Sequence, residues 1–313
     1  MSPKKNWFSN LINKLRYNAD TRTVLYRGVK WFAIILLVGL VLKFFVCDSV
    51  RVDGAQMEPS VLAGDRVLLL KAPYATPMLK KLFTMDNRLT VASLPGKDAG
   101  STILRIAAVS GDTVSIDAGR FYLNGYAVRG MDKDTARYGV IPADYSPADF
   151  MASYRVPAPG DTITFADLTL RDLIFAYAAL RQEKPNVSLK AFAMVGDSIL
   201  GGFRIKDFSL YSGSIDSIPE ELCADWFFWD RMQEYFRMQG EETDVRPQLA
   251  FSVFKGAKEI TGFRVKERYM FLMGDNWTGA KDSRYIGAVR LDNVVGRPVA
   301  RLWGNGKFWG GLK

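Results

Sequence analysis

No histidine occurs anywhere in the 313 residues, and cysteine occurs only at Cys47 and Cys223. The first absence removes Ser-His-Asp and Cys-His catalysis, together with every metal site that depends on imidazole. A hydrolase built from this chain needs another proton acceptor, and lysine is the obvious one. The two thiols could pair in an oxidising compartment, but they stand far apart and read as isolated apolar cysteines. Acids are nearly missing from the first thirty residues, where seven Lys/Arg (Lys4, Lys5, Lys14, Arg16, Arg22, Arg27, Lys30) face one acid, Asp20. The other 283 residues carry 35 basic and 32 acidic side chains. The pI near 9.4 is therefore a property of the arm, and the body has no charge excess suited to nucleic acid. Neither a cofactor nor a metal is called for.

What the sequence does have is one long apolar run, "WFAIILLVGLVLKFFV" from Trp31 to Val46, whose only charge is Lys43. A bilayer core takes ~20 residues, and Val29 with snorkelling Lys30 and Lys43 completes the span. The segment 29–47 reads as a retained transmembrane anchor following a basic arm, 1–30. The arm predicts a cytoplasmic N-terminus and a body on the exported side of the membrane. A cleaved signal peptide is disfavoured, because "CDSVRV" lacks a small-x-small site and the basic region is long. Lipid attachment at Cys47 is disfavoured too, since no small residues precede it. Within the arm, Trp7, Phe8, Leu11, Ile12 and Leu15 share one helical face, which predicts an interfacial helix on membrane lipid.

After the anchor the pattern turns to β. Four Gly-Asp-x-Val/Ile turns, at Gly64, Gly111, Gly160 and Gly196, each open a β-branched strand. Asn124-Gly125 marks a tight hairpin. The middle of the chain differs. "TLRDLIFAYAALRQ" predicts a helix capped by Thr169 with Asp172. "PEELCADWFFWDRMQEYFRMQG" predicts a second one, with Pro219 in its first turn and Gly240 as its stop. Its aromatics (Trp226, Phe227, Phe228, Trp229, Tyr235, Phe236) read first as core and second as a peptide- or membrane-facing surface. The expected architecture is mainly β, with an N-terminal transmembrane helix. A body of 48–130 and 262–304 is interrupted by an inserted α/β subdomain at 131–261 and ends in a tail, 305–313.

Three stretches carry chemistry: "GAQMEPSVLAGD" from Gly54, "LRIAAVSGD" from Leu104 and "GDNWTGAKDSRYIG" from Gly274. Together, behind a membrane anchor, they resemble the bacterial type I signal peptidases, membrane-bound serine endopeptidases that remove signal peptides from exported proteins. The family pattern reads Ser-x-Ser-Met-x-Pro-Thr-Leu with Gly-Asp, then Lys-Arg-x-x-Gly-x-Pro-Gly-Asp, then Gly-Asp-Asn-x-x-x-Ser-x-Asp-Ser-Arg-x-x-Gly. The resemblance extends to "VVGRPVARLW" near the C-terminus. It implies a cleft framed by Met57, Pro59, Gly64, Asp65, Arg105, Gly111, Asp112, Gly274, Asp275, Asn276, Asp282, Ser283, Arg284 and Gly287.

The departures fall on the chemistry. The family's nucleophilic serine, directly before Met57, is Gln56 here, and the serine two positions earlier that helps bind the oxyanion is Gly54. The general-base lysine, directly before Arg105, is Leu104, and the serine that orients it is Ala280. An amide cannot attack a peptide bond, and a lysine left buried without its serine only destabilises the fold. Three readings stand at this point. The chain is a pseudo-peptidase that binds signal peptides, exported proteins or an active paralogue. Alternatively it is an active enzyme with a relocated pair, the candidate nucleophiles being Ser60, Ser110 and Ser283 and the candidate bases Lys71 and Lys281. In the third reading it is an assembly protein acting through the insert.

Overall fold

The computed structural model describes residues 19–71, 89–94, 101–132, 147–195, 198–199, 226–243, 248–304 and 307–311. The fold divides into two units, the first ending at Asp48 and the second spanning Ser49–Lys313. In the first unit, α1 (Ala19–Val41) runs without a break into a π-helical turn, Leu42–Val46. Its stretch Thr23–Val41, 19 residues with a mean hydropathy of 1.9, is long and apolar enough to cross a membrane. The helix starts earlier than the apolar run because Arg22, Arg27 and Lys30 are good helix formers, so the end of the arm is helical too. The amphipathic stretch at Trp7–Leu15 lies outside the described residues. Cys47 carries a free thiol, and Cys223 lies outside the described residues.

The second unit is mainly β. Among the described residues an eight-stranded sheet runs in the order β1 (Cys47–Arg51), β2 (Arg66–Leu70), β17 (Val294–Gly304), β3 (Leu89–Ser93), β4 (Ser101–Val109), β15 (Tyr269–Met273), β16 (Val289–Arg290), with β18 (Lys307–Gly311) also on β17. The C-terminal tail is thus a paired strand, Trp303 opposite Phe308. All five residues of β15, "YMFLM", are buried. Met270 and Leu272 enter one apolar cluster with Met57, Val61, Leu69, Leu104 and Ile106. Tyr269, Phe271 and Met273 enter another with Phe121, Phe175, Tyr177 and Trp229. An unbroken apolar run is what a strand covered on both faces requires.

A second sheet has the order β7 (Tyr126–Asp132), β6 (Arg120–Leu123), β5 (Thr113–Asp117), β8 (Met151–Arg155). Asn124 and Gly125, both at positive φ, close its β6–β7 hairpin as the sequence predicts. A ribbon pairs β9 (Thr162–Thr164) with β14 (Gly262–Arg264). In the third sheet, β10 (Val187–Val195) lies between β11 (Ser198–Ile199) and β12 (Gln248–Lys255), which pairs β13 (Lys258–Ile260). Because β8 pairs β5 and β9 pairs β14, the boundaries drawn at 131 and 261 do not coincide with the edges of a separately packed body.

Helix α2 (Leu170–Glu183) is capped by Thr169, whose hydroxyl accepts from the Asp172 amide. Helix α3 (Trp226–Thr243) continues through Gly240. A lone glycine costs a helix ~1 kcal/mol and stops it only where the chain also turns away. Trp229 and Met232 are core, and Trp226 and Phe228 pack against it.

Three of the four Gly-Asp turns share one construction. Gly64, Gly111 and Gly160 have positive φ. The carboxylate of the following aspartate accepts the amide three residues back: Leu62 to Asp65 (3.1 Å), Val109 to Asp112 (3.0 Å) and Ala158 to Asp161 (2.8 Å). Gly196 lies outside the described residues.

Candidate functional site

The loop after β1 is tied at its neck, where the Val52 amide donates to the Asp65 carbonyl and the Gly64 amide to the Val52 carbonyl, both 2.8 Å. Met57 and Val61 are fully buried and one turn apart, joined by a 2.9 Å amide-to-carbonyl bond. These two apolar pegs fix the loop on the sheet and leave Gln56 half-buried at its crest, one residue before a cis Glu58–Pro59 bond. The Gln56 side-chain oxygen accepts from Thr102 Oγ1 at 3.0 Å. The Gln56 carbonyl accepts from the Asn276 amide at 3.0 Å, and Asn276 Nδ2 donates to the Ala55 carbonyl at 2.9 Å. All three motifs therefore converge on residues 54–60.

Gly274 permits that approach. A Cβ there would lie 2.3 Å from Ala280 Cβ and 2.6 Å from the Gln56 carbonyl oxygen. Its amide donates to Asp282 at 2.8 Å. Asp282 and Arg284, both wholly buried, form a two-pronged pair (Nε to Oδ1 2.9 Å, Nη2 to Oδ2 2.7 Å) at the start of α4 (Ser283–Ile286). Arg284 also donates to the Trp277 carbonyl at 2.7 Å and lies over the Trp277 ring. Burial alone would pull the guanidinium pKa down, but Asp282 beside it outweighs this and holds it above its ordinary value. Arg105 and Asp275 make a second two-pronged pair, at 2.9 and 2.7 Å, on the more open side.

Of the predicted positions, Gln56, Gly54 and Ala280 belong to this convergence, and Leu104 is fully buried in the aliphatic cluster with Met57 and Leu272. No ionisable group stands at the base position, and an amide stands at the crest. Gly54 has φ of 91°, so a serine there would be strained by on the order of 1 kcal/mol. Its loss is written into the backbone as well as the side chain.

Two of the relocated candidates are occupied by main-chain bonds. Ser110 Oγ donates to the Tyr269 carbonyl and accepts from its amide (3.2 and 2.7 Å). Ser283 Oγ, wholly buried, accepts from the Leu272 amide at 2.9 Å. Ser60 is half-buried on the loop, Lys71 half-buried at the end of β2, and Lys281 exposed.

Two spaces flank the crest. The one bounded by Val50–Gly54, Gln56, Thr102 and Ile103 measures only about 10 Å³. It is barely one water in size, closed by the Gln56–Thr102 bond. The other, about 270 Å³, lies between Glu58–Ser60, the Arg105–Asp275 pair and Trp277.

The family model for "Signal peptidase, peptidase S26" matches residues 25–158 and 223–303. The chain belongs to the signal peptidase family. It is similar to Signal peptidase I of Buchnera aphidicola subsp. Baizongia pistaciae (strain Bp), 22% identical over 302 residues that cover 94% of this chain and 83% of the relative.

Neither serine nor lysine stands at positions 56 and 104, to which the resemblance in sequence assigns the family's dyad. Sequence reasoning missed Thr102, although strand alternation along β4 places it on the same face as Leu104. It also missed Trp226, whose indole donates to the Arg284 carbonyl at 2.7 Å from helix α3. Nothing in the local spelling of that helix marks a long-range partner.

Proposed function

We propose that this chain is a membrane-anchored signal-peptidase homologue that binds without cutting. It takes signal peptides or the N-termini of exported proteins, or sits beside an active paralogue. Its N-terminus lies in the cytoplasm and its body on the exported face of a bacterial inner membrane. The arm's seven basic residues support that orientation.

The observation that carries the reading is the pair Gln56 and Leu104, an amide bonded to Thr102 and an isobutyl group sealed in the core. Loss of a nucleophile or of its base typically costs on the order of 10⁶ in rate, or ~8 kcal/mol of transition-state stabilisation. A lysine kept at position 104 without a serine to serve would be a buried charge, so leucine is the substitution that the fold favours.

The test is a processing assay with the full chain in detergent micelles and a purified preprotein, read by mass spectrometry. A photo-crosslinker at position 102 runs in parallel. The expected result is a crosslink to the signal peptide or to a paralogue and no new terminus. Cleavage at one defined bond, with an acyl adduct trapped on Ser60, Ser110 or Ser283, would establish a relocated enzyme instead.

A further inference from the structure

A space of about 350 Å³ lies far from residue 56 in sequence, between β8, β9 and α2. Its walls are Ser153–Arg155 on one side and Asp161–Ile163 on the other, with Leu168 and Ala176 behind. Both walls are strand edges. Among the described residues β8 is the last strand of its sheet and β9 has β14 as its one neighbour.

The pairing pattern shows which backbone groups face outward. The Val265 amide donates to the Asp161 carbonyl and the Phe165 amide to the Thr261 carbonyl. In an antiparallel ladder this makes 161, 163 and 165 the positions bonded to β14. Thr162 and Thr164 therefore turn their amide and carbonyl away from it. On β8, the Val156 amide bonds to the Asp112 carbonyl, and Arg155 opposite Thr113 turns its own groups outward. The carbonyls of Ala152 and Ser153 are already taken by Arg171.

The charges at the groove are also matched. Arg155 pairs with Asp161, and Asp172 with Arg171 and the Thr169 hydroxyl. An ionic ligand finds no free countercharge among these groups, whereas an extended neutral backbone finds donors and acceptors on both walls and apolar side chains at the floor. We infer that this groove is a docking site for an extended, uncharged polypeptide segment of another protein, held by strand addition.

The probe is a fluorescent, end-capped octapeptide of alanine, threonine and valine, titrated into the full chain in detergent by fluorescence anisotropy. N-methylation of alternate amides removes hydrogen-bond donors while leaving the side chains in place. Saturable binding that weakens at least tenfold when one alternate set is N-methylated, and that also weakens in Thr162→Pro, supports the assignment. The Tyr126→Ala variant, altered at an exposed position on β7 at the other end of the sheet from β8, should bind the probe unchanged. Binding indifferent to N-methylation, or no binding at all, overturns it. Strong hydrogen-exchange protection of the outward-facing Arg155, Thr162 and Thr164 amides in the peptide-free monomer, or in a self-associated form, also overturns it, because this chain or a second copy would then fill the groove.

Discussion

Replacing Leu104 with lysine restores the family's base to its position and asks whether the surroundings still fit it. Leu104 is 0% exposed, packed in a cluster of aliphatic and methionine side chains, and the neighbouring Arg105–Asp275 pair is already saturated with itself. A lysine amine placed there has no countercharge in that cluster, and burial drives its pKa down from about 10.4 toward the 5–6 recorded for buried lysines. The folded state then holds the amine neutral while the unfolded chain keeps it protonated. With the unfolded state binding more protons, stability rises with pH by ~1.36 kcal/mol per unit up to about pH 10.4. At pH 7 the penalty relative to wild type is ~4.6 kcal/mol, and at pH 9 it is ~1.9 kcal/mol. A domain of ordinary stability, ~5–15 kcal/mol, survives this. Urea unfolding in detergent, followed by tryptophan fluorescence at pH 7, 8 and 9, measures it. A deficit below ~1 kcal/mol, or one that does not change across that range, refutes the reasoning. It would mean that water or a carboxylate reaches position 104.

Gln56→Ala removes the Thr102 bond and opens the 10 Å³ space, so signal-peptide affinity measured by anisotropy should rise severalfold. Equal or weaker binding counts against a blocking role. Asp282→Ala strands the buried Arg284 guanidinium and should cost ~3–5 kcal/mol in urea unfolding, with part of it recovered in Asp282→Ala/Arg284→Met. A single-mutant loss under ~1 kcal/mol would show the pair to be dispensable. Gly274→Ala forces a methyl to within 2.6 Å of the Gln56 carbonyl oxygen and should speed hydrogen exchange at residues 54–60; unchanged exchange would be the contrary result. Burial first, and Glu183 second, push the Tyr269 hydroxyl pKa up, and burial does the same at Tyr154. A raised pKa means stability that is whole below the ordinary tyrosine value of ~10 and lost above it. Tyr269→Phe, deprived of bonds to the Ala179 carbonyl and Glu183, should lose ~1–2 kcal/mol at pH 7 but show a shallower alkaline decline than wild type.

The parts of this fold that were legible in sequence are those whose physics is local. A glycine at positive φ followed by an aspartate that accepts the amide three residues back can be read off five residues, and so can Asn-Gly or a Thr-capped helix. The site's frame was legible for another reason: the three motifs resemble a known pattern, and most of its non-catalytic residues recur at the same spacing. What stayed hidden is long-range. Thr102 matters because Gln56 crosses to it from 46 residues away, and Trp226 because its indole reaches Arg284 58 residues on. Composition changes near 131 and 261, whereas strand pairing ignores composition and joins β8 to β5 and β9 to β14 across those points.

The pattern of what is kept bears on how far retention can be taken as a sign of activity. Each polar residue retained from the family motifs has a structural bond of its own. Asp65 accepts the Leu62 amide and pairs with Arg301, and Asp112 accepts the Val109 amide. Arg105 holds Asp275, Asn276 holds the Ala55 carbonyl, Asp282 holds Arg284 and the Gly274 amide, and Ser283 holds the Leu272 amide. Removing any of them unpairs a buried or half-buried group at a cost of ~1–3 kcal/mol, and more for the charges. Stability alone is enough to retain them, whether or not the chain hydrolyses a substrate. At the four positions to which the resemblance assigns the family's serines and lysine, the residues present also suit the fold. They are an amide with a partner on β4, a leucine in the core, a glycine at positive φ and an alanine against Gly274. Retained motif residues therefore speak for the scaffold and not, by themselves, for turnover.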